Sequence, residues 1–118
     1  MAEERSHLSI LEINGVQVVE FNDRKILEEL SISEIGEELA ELIDGIQEVK
    51  ILLSFKSVEH LSSAALGMLI TLSKKVDEQT GKLKLSDITP QIYEVFKITR
   101  LNKLFEIHDT AEQAIASF

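Results

Sequence analysis

The stretch from Val49 to Ile70 limits what this chain can fold into more than any other. Val49-Lys50-Ile51-Leu52-Leu53-Ser54-Phe55 is a short apolar run rich in branched side chains and without strict alternation. That pattern predicts a strand buried on both faces, the usual centre of a parallel sheet. The polar segment Lys56-Ser57-Val58-Glu59-His60 follows, and then the period changes: Ala65, Leu69, Leu72 and Val76 are spaced to align one face of an α-helix. Ser62 and Ser63 therefore fall at a strand-to-helix junction, where unpaired backbone N–H groups and the helix dipole leave a partial positive charge.

The rest of the chain fits around that unit. Leu8 to Ile13 and Val16 to Phe21 flank Asn14-Gly15, the strongest short-range signal for a two-residue hairpin, because both turn positions need φ > 0. Ile26 to Leu30 reads equally as a short edge segment or a helical turn. Ile32, Ile35, Leu39, Leu42, Ile43 and Ile46 follow helical spacing, with Ser31 and Glu34 as a capping box and Asp44-Gly45 as a stop in which glycine tolerates a left-handed conformation. A second helix is predicted from Ser63 to about Gln79, ending at Thr80-Gly81. Lys82 to Leu85 is a strand short enough to suggest a place near the sheet edge. A third helix opens at Thr89-Pro90 with Ile92, Val95 and Phe96 on its buried side. A strand around Leu104 to Ile107 and a final helix to Phe118, capped through Asp109 and Glu112, complete the order. The expected fold is α/β: a mixed, mostly parallel sheet of four to five strands with an N-terminal hairpin, covered by about four helices.

Composition decides which partners are excluded. The 118 residues have room for one domain, taken as 1–118, and a net charge of −9 opposes a nucleic-acid partner. No apolar run approaches the roughly 20 residues needed to cross a bilayer, so no membrane insertion is expected. No secretory segment is visible, and the absence of cysteine removes disulfide and thiolate chemistry; both fit a cytoplasmic location.

The residues alone make Ser62 or Ser63 a helix cap. A serine hydrolase reading, with His60 as base to Ser63, lacks a Gly-x-Ser-x-Gly elbow, an orienting acid and a glycine pair for an oxyanion hole. His7, His60 and His108 lack metal-ligand spacing, and the isolated glycines form no phosphate-cradling loop. Neither an enzyme nor a cofactor or metal is expected.

Ser62-Ser63-Ala64-Ala65-Leu66-Gly67 after a buried strand resembles the phosphorylation loop of the STAS domain, the fold of bacterial anti-sigma factor antagonists. Phe96 to Ile107 is similar to the last helix and strand of that family, so the likeness covers nearly the whole chain. The usual run is Asp-Ser-Ser/Thr-Gly-Leu-Gly; here Ser62 replaces the aspartate and Ala65 the second-last glycine. The resemblance implies a binding protein rather than an enzyme. Its partners would be an anti-sigma factor with serine kinase activity, which phosphorylates Ser63 (or, second, Ser62), and a phosphatase that restores it. Partner contacts would fall on Asp23, Lys56, Glu59, His60, Ser62, Ala64 and Gly67. Asp23 would correspond to an acid beside the serine loop, although an acid in a solvated turn is the plainer reading. The alternative within the family is an unphosphorylated scaffold, as a subunit of a signalling complex or of a lipid-transport ATPase. The resemblance leaves the oligomeric state unknown.

Overall fold

The computed structural model describes residues 7–118. The hairpin forms where Asn-Gly demands it: β1 (Leu8–Ile13) and β2 (Val16–Phe21) pair antiparallel, with Asn14 and Gly15 at φ 54° and 82°. The remaining elements are β3 (Lys25–Ile26), α1 (Glu29–Asp44), β4 (Lys50–Ser54), β5 (His60–Leu61), α2 (Ser63–Glu78), β6 (Lys82–Ser86), α3 (Pro90–Ile98), a single 3-10 turn (Leu101–Lys103), β7 (Glu106–His108) and α4 (Ala111–Ala116). The main sheet has the order β1-β2-β4-β6-β7, parallel from β2 onward. β3 and β5 make a separate two-stranded parallel ribbon.

The buried central strand is where the apolar run put it. Ile51, Leu52 and Leu53 are all fully buried, and they serve different faces. Ile51 and Leu53 join Val19, Leu85 and the buried sides of α1, α2 and α3 in one large core, whereas Leu52 meets Val16 and Ala114 in a small cluster under α4. Across the ends of the strands runs a chain of phenylalanines: Phe21 to Phe55 at 5.0 Å between ring centroids, Phe55 to Phe96 at 6.5 Å and Phe96 to Phe105 at 6.1 Å. Tilted and edge-on pairs of this kind add roughly 0.5–1.5 kcal/mol each beyond the area they bury.

Several expectations are corrected. Helix α1 begins at Glu29 with Glu28 at its cap and no side-chain capping bond, so Ser31 and Glu34 lie inside the helix and form no capping box. The cause is Ile26, whose burial in β3 brings the chain into the helix earlier than the periodic pattern indicates. Gly45 ends α1 with φ −88°, and the left-handed residue comes later, at Glu48 with φ 55°. Gly81 is needed for space, since a Cβ there would stand 2.5 Å from the Val49 carbonyl oxygen. β6 is interior, because β7 pairs outside it. Val95 is 37% exposed, one position off the Ile92/Phe96 stripe. The last strand starts at Glu106 because the Phe105 N–H still closes the preceding turn onto the Leu101 carbonyl. Thr110, not Asp109, caps α4, accepting from the Gln113 N–H at 3.1 Å.

Candidate functional site

The serine loop is held by two apolar anchors and a strip of backbone bonds. Phe55 and Val58 are fully buried, and the Val58 N–H donates to the Phe55 carbonyl at 2.9 Å, so the intervening Lys56 is pushed outward and exposed. The chain then pairs with the segment after β2. Glu59 and His60 both donate their N–H to the Arg24 carbonyl, at 2.7 and 3.1 Å, and the Ser62 N–H donates to the Ile26 carbonyl at 3.1 Å. Above this strip the Arg24 guanidinium pairs with the Glu59 carboxylate at 3.1 Å, both side chains exposed. Such a surface pair contributes little stability, about 0–1 kcal/mol.

Helix α2 starts at the end of that strip. Ser62 has extended backbone and its side-chain oxygen accepts from the Ala65 N–H at 3.2 Å, the standard satisfaction of an orphan donor in the first turn. Ser62 is half-buried, whereas Ser63, the first helical residue, is exposed together with Ala64 and Gly67. A Cβ placed on Gly67 would meet open space, so this face of the first two turns is unobstructed. The two hydroxyls therefore have different duties: one is engaged in the cap, the other faces solvent at the positive end of the helix dipole.

The residues singled out in the sequence are only partly brought together. Glu59, His60, Ser62, Ser63 and Ala64 are contiguous in space through the ribbon, and Lys56 sits at the start of the same loop. Asp23 takes another direction: its carboxylate accepts from the His7 Nδ1 at 2.7 Å. Two neighbours escaped the sequence reading. One is Arg24, which becomes a partner of Glu59 only because two-residue strands pair, and strands that short carry no periodic signal. The other is α3, whose Gln91, Ile92 and Val95 share with Glu59, His60 and Leu61 a shallow depression of about 330 Å³. Among the described residues no group of three or more His, Cys, Asp or Glu could hold a metal ion, and no helix is long and apolar enough to cross a membrane.

A five-stranded mixed sheet that carries an exposed serine at the entrance of its second helix defines the class. The chain belongs to the STAS domain family, whose model matches residues 2–114. It is similar to a putative anti-sigma factor antagonist, BtrV, of Bordetella bronchiseptica, with 26% identity over 79% of either chain. Alignments to curated relatives span from 56 to 79% of those relatives' length. In fold it resembles an anti-sigma factor antagonist domain protein from Planctomyces limnophilus, with a TM-score of 0.82, 20% identity, and 93 and 96% of the two chains covered. The Bacillus cell fate determinant SpoIIAA in its phosphorylated form also shares the fold, with a TM-score of 0.71, 16% identity, and 93 and 97% covered.

Proposed function

We propose that this chain acts in the cytoplasm as an anti-sigma factor antagonist, a binding protein switched by phosphorylation of Ser63. The unmodified form binds an anti-sigma factor that is also a serine kinase, the phosphorylated form releases it, and a phosphatase resets the cycle. The observation that carries this reading is the division of labour between the two serines: the Ser62 oxygen accepts from the Ala65 N–H, while Ser63 is exposed beside it. The relatives named as antagonists, and the existence of a phosphorylated form of SpoIIAA, support the same reading.

The physical chemistry of the switch follows from position. A phosphate adds about −1.5 to −2 charges, which a helix N-terminus tolerates, so modification should leave α2 folded. A partner surface built against a neutral hydroxyl would then have to desolvate a dianion, and binding is lost there rather than in the fold. Lys56, Glu59, His60, Ala64 and Gly67 are the proposed contacts around Ser63. Asp23 is a contact only through its backbone neighbourhood, since His7 holds its carboxylate.

The test is incubation with a cognate anti-sigma factor kinase and ATP, followed by mapping of the product. Phosphate is expected on Ser63, absent from Ser63→Ala and retained in Ser62→Ala. Phosphate on neither serine overturns the switch. If pull-downs then recover scaffold or transporter subunits without a kinase, the unphosphorylated scaffold takes its place.

A further inference from the structure

Away from the serine loop, His7 sits immediately before β1 with a carboxylate on each side. Its Nδ1 is 2.7 Å from Asp23 Oδ2, in the loop after β2, and its Nε2 is 2.8 Å from Glu34 Oε1, in the second turn of α1. A carboxylate only accepts, so both contacts at these distances require both ring nitrogens to carry protons. The imidazolium thus ties three segments of the chain together, and the neutral ring, with a single N–H, can serve only one of them. The His7 side chain is 20% exposed, Asp23 36% and Glu34 50%, so Glu34 is the partner that water can most readily take over.

The clamp adjoins the ribbon that carries the serines. Asp23 is followed at once by Arg24, Lys25 and Ile26, whose backbone carbonyls and pairing hold Glu59 to Ser62. Among the described residues, the charged groups facing the clamp are Asp23, Arg24 and Lys25 from the loop and β3, and Glu28 and Glu34 from the start of α1; with Leu27 and Ser31, most of them line one open depression.

We propose that His7 is a proton-operated clamp which, by bridging Asp23 and Glu34, makes the seating of the β3–β5 ribbon, and hence of the entrance to α2, sensitive to pH. The hydrogen bond with Glu34 raises the His7 pKa above 6.5, burial opposes it, and Asp23 adds to the rise. A raised folded value means that the stabilisation is fully present below the unfolded pKa of 6.5 and is lost as pH rises through the folded value. The clamp is closed below pH 6.5 and loses its Glu34 arm as the pH rises through the folded value. It operates whether or not Ser63 is ever modified.

Amide exchange, corrected for the intrinsic effect of pH, tests this on Glu59, His60 and Ser62 between about pH 6 and about pH 8, alongside an NMR titration of the His7 ring. Protection of these amides should fall as the ring titrates, by on the order of tenfold for each unit by which the His7 pKa is raised. Glu34→Gln should keep protection high and flat, because a carboxamide can donate to the neutral ring and accept from the charged one. His7→Phe should give low protection throughout. Since His60 lies in the ribbon itself, the series is repeated in a His60→Gln background. A His7 midpoint at or below the ordinary value, wild-type protection that does not change with pH, or the same pH-dependent loss in Glu34→Gln would each overturn the proposal.

Discussion

The two faces of the main sheet are covered by different means. On one, α1, α2 and α3 bury an apolar core continuous from Leu8 to Phe105, and the sheet supplies Val19, Ile51, Leu53 and Leu85 to it. On the other, among the described residues, α4, six residues long, covers Val16 and Leu52 through Ala114, with Val18, Ala111, Ile115 and Phe118 packed against them. Polar contacts add to that small apolar patch. The buried Lys84 ammonium donates to the Ser117 carbonyl at 2.8 Å and to the Ser117 Oγ at 2.7 Å, pairs with Glu106 at 3.0 Å, and lies 4.6 Å from the Phe118 ring centroid. The face that bears the serine helix is set by a large packed volume and the opposite face by a small apolar patch and a few directional bonds, so they should fail differently.

The largest expected effect is on the first face. Phe55→Ala removes the ring that links Phe21 to Phe96 and should cost about 3–5 kcal/mol in urea unfolding, with loss of order in the serine loop. On the second face, Lys84→Ala leaves the Ser117 carbonyl and Glu106 without their buried donor, and should cost about 1–3 kcal/mol. Exchange protection should then be lost first in α4 while α2 keeps its own; equal loss in both helices would erase the distinction. Ser62→Ala should cost about 1 kcal/mol through the lost cap, whereas Ser63→Ala should be close to neutral in stability, which separates the capping serine from the exposed one.

The smallest effect is one of pH. The hydrogen bond from His108, and then that from Lys84, hold the Glu106 carboxyl below its ordinary 4.5. A depressed folded value gives stability that is present above pH 4.5 and lost as pH falls through the folded value. Acid unfolding should therefore begin at α4, and Glu106→Gln should flatten that part of the profile. An acid limb unchanged by Glu106→Gln would remove Glu106 from the account of how α4 is held.

What the sequence made legible follows the same divide. The hairpin, the central strand, the start of α2 and the Thr89-Pro90 cap of α3 were all readable, because each rests on a local signal: a turn that needs φ > 0, an apolar run, a change of period, a proline at the first helical position. The place of the serine pair at the entrance of α2 was readable for the same reason, but which serine caps the helix and which faces solvent was not. The ribbon of β3 and β5, the Arg24–Glu59 pair, the His7 bridge and the Lys84 network were not, since each joins residues distant in the chain, up to 35 positions apart, and none of those separations leaves a pattern in it. Lys84 lies in a strand expected near the sheet edge, and its burial comes from the interior position of β6 and from the docking of Ser117 over it.

The phenylalanine chain has a practical corollary. The protein contains no tryptophan and one tyrosine, Tyr93, which is 37% exposed on α3, so its interior is optically almost silent in the near ultraviolet. Tyrosine emission will report events on the surface of α3, beside the 3-10 turn, and not the loosening of the core. A tryptophan placed at Phe55 or Phe96 would give the interior a voice only by disturbing the stack it is meant to observe.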